Sequence, residues 1–333
     1  MPNDTLEANT CMADEVLLMP ETTRYAGELI DAASRRSIRI RRNGDADVHI
    51  APDDDRLIVD FFYHEGQFWQ AIIPLDGVDQ VFGQAFNFSK AKTRDGANGR
   101  EIVYDRNGLP KRKIRLLNHL QCRFTLKVGF FVELYPLDGD TSGAPTHQID
   151  DFIYTVEAVG PWGVGFGLWD GFQGNLVSVH RFMSTREMVF ERIVVENQYV
   201  TETPALPLED AEKRTLLAQS LLRSHRAGMT EIYYLVRVCG TNNCTSNPFQ
   251  ILDNVARKNL AQRIGSFFYR LPLNPRFYLW IRGMDSDPSV RKLVRSEFEV
   301  YVLEPETQQR KRDYVRERTR ALRAAREARK SRR

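Results

Sequence analysis

The chain has 333 residues, of which 42% are hydrophobic and 27% are charged, and its net charge is +3. This composition is typical of a globular protein with one large domain or two ordinary ones, and it argues against a disordered or fibrous chain. No apolar run reaches the roughly 18 residues of a membrane span, and the first residues lack the pattern of a secretory signal. Four scattered cysteines argue against a disulfide framework, so we expect a reduced, cytoplasmic protein.

Short strands separated by turn residues dominate residues 37–137, after an N-terminal extension (1–36) that shows little pattern. Segments 57–63 and 67–73 flank His64-Glu65-Gly66 and predict a hairpin. Strands of this length and spacing predict a small β-barrel or sandwich-like domain over 37–137.

A glycine- and aspartate-rich break at 138–145 predicts a domain boundary, and a mixed α and β region follows over 140–305. Its clearest helix is 208–227, with Glu209 and Asp210 in the first turn and Gly228 after the end. The other predicted elements are a strand at 151–159, a glycine-rich loop at 160–174, strands at 188–200 and 231–238, a helix at 249–264, and closing strands at 277–281 and 298–303.

The C-terminal segment 306–333 is rich in arginine and alanine and predicts a helical or disordered tail. Residues 309–333 contain 12 Lys and Arg against 3 Asp and Glu, a local balance of +9. Apolar residues are too sparse to form a continuous stripe, so we expect a solvated or frayed helix.

Cys244 is the strongest candidate for chemistry. Pro248 has no N–H to donate to the carbonyl of Cys244, so regular helical bonding can begin no earlier than Thr245. Unpaired N–H groups and the helix dipole at such a position favour a thiolate, which is the nucleophilic form. The alternative is that Cys244 is a small buried hydrophobic residue without a chemical role.

A cysteine nucleophile needs a base, and His147 is the candidate because it precedes the predicted strand 151–159. Asp150 and Asp151 are candidates for orienting that imidazole, and Asn242 and Asn243 for stabilising an oxyanion. The motifs of zinc proteases, phosphate-binding loops and serine hydrolases do not occur, so we expect neither a metal nor a cofactor.

Several features in one order resemble a known family. A histidine precedes a strand. It is followed by a glycine-rich stretch, an Arg-Glu segment, a helix with acidic residues in its first turn, and a tyrosine-rich strand. The strand leads into Asn243-Cys244-Thr245-Ser246. Over about 140–265 the chain is similar to the Lnb N-terminal domain family, the catalytic domain of lipoprotein intramolecular transacylases.

The resemblance implies a permuted papain-like α+β domain in which Cys244 is the nucleophile and His147 its histidine. The predicted fold is therefore α+β: a small β-barrel or sandwich-like domain, the permuted papain-like domain and a basic C-terminal helix. The predicted function is cysteine-dependent acyl transfer or amide or ester hydrolysis on a substrate that the sequence does not identify.

The alternative is a non-enzymatic adaptor that binds nucleic acid or an anionic membrane through residues 309–333. The basic tail predicts only weak, salt-sensitive contact with polyanions, because no recognised nucleic-acid-binding module is present.

Overall fold

β-Strands run through most of the chain. The computed structural model describes residues 16–41, 48–89, 91–96, 99–105, 109–114, 117–137, 139–236, 242–256, 275–287 and 292–331. The strands within them are β1 (Arg39–Ile40), β2 (Arg56–His64), β3 (Gln67–Pro74), β4 (Val78–Asn87), β5 (Thr93–Gly96), β6 (Gly99–Ile102), β7 (Asn118–Leu126), β8 (Val132–Tyr135), β9 (His147–Ile149), β10 (Asp151–Val159), β11 (Leu176–Ser184), β12 (Thr201–Glu202), β13 (Ile232–Tyr233) and β14 (Lys292–Leu293).

Within these ranges, twelve strands pair in one open sheet. Its path is β14-β12-β4-β7-β10-β11-β2-β3-β8-β9, with β1 also paired to β2 and β13 to β11. The pairs are antiparallel except for β11 and β2, which run parallel where Met183 is opposite Tyr63. The prediction of a separate barrel or sandwich over 37–137 is wrong, because the sheet is open and β2 and β7 pair with the later strands β11 and β10 as well as with strands of their own segment.

The sheet also spans the predicted domain boundary. β7 comes from the segment 37–137 and β10 from the segment 140–305, and the two strands are paired along five residues. A single buried cluster includes Phe62 and Phe124 from the first segment and Phe152, Phe182 and Leu221 from the second. The boundary at 138–145 therefore does not separate two hydrophobic cores.

Helices complete a mixed α and β structure, as the pattern of elements along the sequence predicts. They are α1 (Leu168–Gln173), α2 (Thr185–Met188), a π-helix (Val189–Val195), α3 (Asp210–Ala227), α4 (Ser246–Val255), α5 (Pro275–Ile281), α6 (Val294–Glu297), α7 (Glu299–Leu303) and α8 (Pro305–Ser331). None of these described helices has the length and apolar character that a bilayer span requires.

The period-two alternation of the strands distributes side chains to two faces of the sheet. On β10, Phe152 and Tyr154 join the larger cluster, which also contains Leu217 and Leu221 of α3. Ile153 points the other way, into a cluster formed with Phe190 and other residues of the π-helix. α3 and the π-helix therefore cover opposite faces.

Three predicted elements are confirmed. The strand 151–159 is β10, and the helix 208–227 is α3, whose start carries a capping box between Glu209 and Glu212. The hairpin is β2–β3, and its two turn residues, Glu65 and Gly66, both have positive φ angles (49° and 83°). This left-handed conformation at both central residues matches the right-handed twist of the flanking strands.

Three segments predicted as strands are helical instead. Residues 188–200 contain the π-helix, and 277–281 and 298–303 lie largely within α5 and α7. Their aromatic and β-branched residues favour strands locally. In the π-helix this preference is overridden because Glu191 and Arg192 bind buried partners on the sheet.

The basic tail is a helix, α8, and its first half is packed against the protein. Arg310 binds both carboxylate oxygens of Glu187 (2.8 and 2.9 Å), and its guanidinium lies 3.9 Å from the centre of the Phe190 ring. Arg318 lies 3.3 Å from a carboxylate oxygen of Asp31. The prediction of a solvated or frayed helix is wrong for this part, because arginine side chains replace the missing apolar stripe.

Arg123 of β7 connects strands and helices through a buried ion cluster. Its guanidinium donates to Asp151 of β10, to Glu202 of β12 (3.0 Å) and to Glu297 of α6 (2.6 Å). The Arg123 side chain is 6% exposed and that of Glu202 is fully buried. A cation in such a site stabilises the fold mainly because its loss would leave carboxylates buried without a counter-charge.

We expect Arg123→Met to lower the free energy of unfolding by about 3–5 kcal/mol, because the fully buried Glu202 would keep only Lys292 as a cationic partner, 3.3 Å away on a side chain that is 55% exposed. Urea denaturation followed by circular dichroism measures the change through the midpoint and the slope. The matched control is Arg94→Met, because Arg94 pairs with Glu101 at the surface, with side-chain exposures of 70% and 47%. That change should cost less than about 1 kcal/mol. Equal losses in the two variants would contradict the role given to the Arg123 cluster.

Candidate functional site

Cys244 lies just before α4, as predicted from the position of Pro248. The helix begins at Ser246, and the thiol is 2% exposed. Its Sγ accepts a hydrogen bond from the hydroxyl of Tyr233 (3.7 Å) and lies 3.9 Å from the carbonyl oxygen of Asn118. The cysteine is therefore held between the start of β7 and the end of β13.

The predicted thiolate is not favoured at this position. Burial raises the pKa of Cys244, and the hydroxyls of Tyr233 and Thr245 only partly offset this effect. The backbone N–H groups of Thr245 and Ser246 do not stabilise a thiolate, because the side-chain oxygen of Asn243 accepts both of them (2.8 and 2.7 Å). Cys244 is accordingly a neutral thiol at pH 7 and needs a base for nucleophilic attack.

The structure does not place His147 with Cys244. The imidazole of His147 packs against the rings of His64 (5.0 Å between centroids) and Trp69 (4.9 Å). In the sheet, β10, β11, β2, β3 and β8 lie between β7, which adjoins Cys244, and β9, which carries His147. His147 is instead close to His64 and Glu65. One side-chain nitrogen or carboxylate oxygen from each of these three residues lies within 4.8 Å of the other two.

The acidic candidates for orienting His147 have other positions. Asp150 is exposed in the turn between β9 and β10, where its carbonyl accepts the N–H of Leu126. Asp151 is part of the Arg123 cluster and also accepts a hydrogen bond from the hydroxyl of Thr185.

The candidate oxyanion donors, Asn242 and Asn243, are engaged in local structure. The side-chain N–H groups of Asn242 donate to the carbonyl of Ile232, and those of Asn243 to the carbonyl of Leu235, at 2.8 Å in each case. Asn243 also holds the start of α4, so its role is to position the cysteine turn.

A histidine that the sequence analysis did not select, His119 of β7, shares a cavity with Cys244. The cavity has a volume of about 310 Å³. Among the side chains that line it are Cys244, His119, Tyr233, Phe86, Glu157 and Arg192. This cavity brings a thiol, an imidazole and a phenol together at one end of β7.

The imidazole of His119 is oriented by two neighbours. Its Nε2 lies 2.7 Å from the hydroxyl of Thr155 on β10, and its ring stacks on Phe86 with the centroids 4.8 Å apart. Burial lowers the pKa of His119 to about 3, so the ring is neutral at pH 7. In the tautomer whose Nε2–H donates to Thr155, Nδ1 keeps its lone pair and can act as a base.

A buried, charge-balanced cluster forms one wall of the cavity. Glu157 accepts hydrogen bonds from Arg181 (2.8 Å) and Arg192 (2.6 Å) and also pairs with Arg35 (3.0 Å). Arg181 in turn binds both carboxylate oxygens of Glu191, at 2.9 Å each. Arg192 also binds Glu196 (3.0 Å), so three arginines face three carboxylates and the wall has no strong preference for one sign of charge.

His180 of β11 is another buried histidine, and it is less suited to act as a base. Its Nδ1 is hydrogen-bonded to the hydroxyl of Tyr154 (2.8 Å), and its Nε2 faces Ser178 (3.5 Å) and Glu231 (3.8 Å). The residue is fully buried and does not line the cavity that contains Cys244.

One signal in the sequence could have identified His119. His119, Gln121 and Arg123 occupy alternate positions of a strand whose intervening residues are apolar or cysteine. A period-two row of polar residues places all three on one face of the strand, and all three are buried. Buried polar rows of this kind are held by hydrogen-bonding partners and therefore mark networks rather than surface.

Comparisons of the chain with family models, curated proteins and solved structures found no match. The resemblance to the Lnb N-terminal domain family remains a prediction from the residues themselves.

We expect Tyr233→Phe to slow alkylation of Cys244, because the Tyr233 hydroxyl stabilises the thiolate and its loss raises the thiol pKa further. The measurement is the rate of iodoacetamide labelling of the Cys244 peptide between pH 7 and 9, followed by mass spectrometry. Below the thiol pKa, the rate should fall about tenfold for each unit by which that pKa rises.

The matched control is Tyr104→Phe, which removes a hydroxyl from a tyrosine that is 52% exposed and does not line the cavity. Its labelling rate should equal that of the unaltered protein. The Cys122 peptide gives an internal comparison, because burial raises the pKa of Cys122 to about 12. Unchanged labelling in Tyr233→Phe would mean that the hydroxyl does not act on the thiol.

Proposed function

We propose that this protein is a cysteine-dependent acyl-transfer enzyme, an acyltransferase or an amide or ester hydrolase. Cys244 is its nucleophile and His119 its general base. The observation that carries the proposal is the cavity of about 310 Å³ lined by both side chains and by Tyr233. His119 replaces His147 in this role, because His147 packs against other residues.

In the first half of the reaction, Sγ of Cys244 attacks the carbonyl carbon of the substrate while the thiol proton moves to Nδ1 of His119. The carbonyl oxygen becomes an oxyanion, and the hydroxyl of Tyr233, which already points at Sγ, is the nearest donor to it. The tetrahedral intermediate then breaks its bond to the leaving group, which takes the proton from His119. A thioester on Cys244 remains.

In the second half, the incoming acceptor, an alcohol, an amine or water, gives its proton to His119 and attacks the thioester. The bond to Sγ breaks, and the sulfur recovers the proton from the imidazole. A neutral His119 begins and ends the cycle. Its pKa of about 3 makes it a weak base, because a general base works best with a pKa near the working pH, and the imidazolium formed during the reaction depends on the nearby Glu157 carboxylate for stabilisation.

The arrangement of the elements supports a permuted papain-like site. The histidine strand β7 and its neighbour β10, which carries Thr155, precede the cysteine turn and α4 in the chain. This is the order expected of a permuted cysteine enzyme, with Thr155 as the group that orients the base through a 2.7 Å hydrogen bond. The sulfur and the imidazole are not hydrogen-bonded to each other. Cys244 packs in the cluster that contains Leu120, whereas His119 lies on the other face of β7, so the proposal requires substrate binding to bring the two groups together at the cavity.

The test is acylation of Cys244 by p-nitrophenyl acetate, measured as p-nitrophenol release and as an acetylated Cys244 peptide. We expect Cys244→Ser to lose the thioester and His119→Gln to slow acylation by roughly 10²- to 10⁴-fold, the usual contribution of a general base. Thr155→Val should cause a smaller loss, because it leaves the base in place but removes its orienting hydrogen bond.

The control is His225→Gln. His225 lies at the end of α3, where Nδ1 accepts the N–H of Ile40, outside the cavity, and its replacement should leave the acylation rate unchanged. Circular dichroism of each variant separates loss of activity from loss of fold. The proposal is overturned if His147→Gln greatly slows acylation and His119→Gln does not, because His147 would then be the base.

The adaptor function remains the alternative prediction. Arg310 and Arg318, two of the basic residues of α8, already pair with Glu187 and Asp31, so the charge available to a polyanion is smaller than the sequence count. Binding of the intact chain to RNA or anionic vesicles at low salt, without acylation of Cys244, would favour this alternative.

A further inference from the structure

A second group of chemically active side chains lies in another part of the sheet. His64 ends β2, Glu65 is the first residue of the following turn, and His147 begins β9. One ligand atom of each residue lies within 4.8 Å of the other two. Two imidazoles and a carboxylate are a common ligand set of zinc sites with an open fourth position.

His64 is oriented as a metal-binding histidine would be. Its Nδ1 lies 2.8 Å from the hydroxyl of Ser184, whose oxygen also accepts the backbone N–H of Glu187. In the tautomer whose Nδ1–H donates to Ser184, Nε2 keeps its lone pair and lies 3.9 Å from a carboxylate oxygen of Glu65. A hydrogen bond on the far nitrogen is the usual support of an imidazole ligand, because it fixes both the tautomer and the ring.

Trp69 holds the two imidazoles in place. Its ring meets that of His147 nearly at right angles, with the centroids 4.9 Å apart, and its indole N–H donates to the carbonyl of His64 (2.9 Å). The His64 and His147 rings are themselves 5.0 Å apart. The histidines therefore belong to a packed group, although they are 83 positions apart in the chain (147 minus 64).

Glu65 supplies the third ligand from a constrained position. Its φ of 49° is unusual for a residue with a side chain, and the hairpin turn imposes it. The side chain is 51% exposed, so its carboxylate can move toward the imidazoles. Zinc bonds of 2.0–2.2 Å place ligand atoms roughly 3.4 Å apart, a modest contraction from the present spacing.

A cavity of about 290 Å³ adjoins the group and includes His64 and Glu65 in its lining. The charged side chains that face it are Arg186, Glu187, Glu304, Glu306 and Arg310. Arg310 pairs with Glu187, and Arg186 lies 3.6 Å from Glu304, so each arginine already has a carboxylate partner. The cavity gives a bound ion an open side for water or a small anion.

We propose that His64, Glu65 and His147 bind one Zn²⁺ ion, with the open coordination position facing this cavity. This site is separate from the cavity of Cys244 and does not depend on the acyl-transfer proposal. Nitrogen and oxygen ligands in this number favour Zn²⁺, and they also accept Co²⁺, whose visible absorption reports the coordination geometry.

The experiment titrates the full chain, stripped of metal with a chelator, with Zn²⁺ by calorimetry and with Co²⁺ by visible absorption. We expect one ion per chain in both titrations. His147→Gln should weaken Zn²⁺ binding by more than roughly 100-fold, and Ser184→Ala, which leaves all three ligands, by roughly tenfold. The control is His225→Gln, which removes a histidine outside the group and should leave the affinity unchanged.

Glu65→Gly keeps the test valid if other variants fold poorly. Glycine adopts positive φ without strain, so this variant should be at least as resistant to urea as the unaltered protein. It should nevertheless lose the third ligand and bind Zn²⁺ at least roughly tenfold more weakly. The proposal is overturned if the unaltered chain binds no Zn²⁺ against a weak chelator, or if Glu65→Gly and His147→Gln both bind it as tightly as the unaltered chain.

Discussion

The buried pairing of Arg181 with Glu157 and Glu191 is the interaction on which the arrangement of the sheet and the π-helix depends. Arg181 is 1% exposed, and its guanidinium joins β11 to β10 and to the π-helix. A guanidinium this deep is tolerated only when carboxylates surround it, so the helix that brings Glu191 must pack at this place. Glu157 then extends the cluster to Arg192 and forms a wall of the cavity that contains Cys244.

Sequence patterns predicted the elements whose signals are local. β10 alternates along its length, α3 has acidic residues at its start and glycine after its end, and the β2–β3 turn has the residues that a hairpin needs. The segment 188–200 has a local strand preference from Val189, Phe190 and Ile193, yet it contains the π-helix. Its helical form depends on partners that are distant in sequence, such as Arg181 and Glu157. The pairing across 138–145 has the same origin, since the pairing of β7 with β10 leaves no mark in either strand.

In the candidate site too, local features could be predicted from the sequence and contacts between distant residues could not. Pro248, four residues away, is enough to place Cys244 before a helix. The raised pKa of the Cys244 thiol depends on its burial, and Asn243 accepts the N–H groups that could have stabilised a thiolate. Neither effect is visible in the local pattern. The position of His147 just before β10 in the chain says nothing of which side chains surround it, because β9 pairs with β8 and not with β10. His119 and Cys244 line one cavity because the cysteine turn packs against the start of β7, and such long-range packing is not visible in a single sequence.

The parallel contact between β2 and β11 has a consequence for synthesis of the chain on the ribosome. β1 covers the edge of β2 at Val59 and Asp60, but the part near Tyr63 pairs with Met183, more than a hundred residues later. The nascent β2–β3 hairpin must therefore wait with part of one edge unpaired while β4 to β10 are made. An unpaired apolar edge invites pairing with other chains. Yield in the cell should consequently be sensitive to how fast residues 64–184 are translated and to the chaperones that cover that edge.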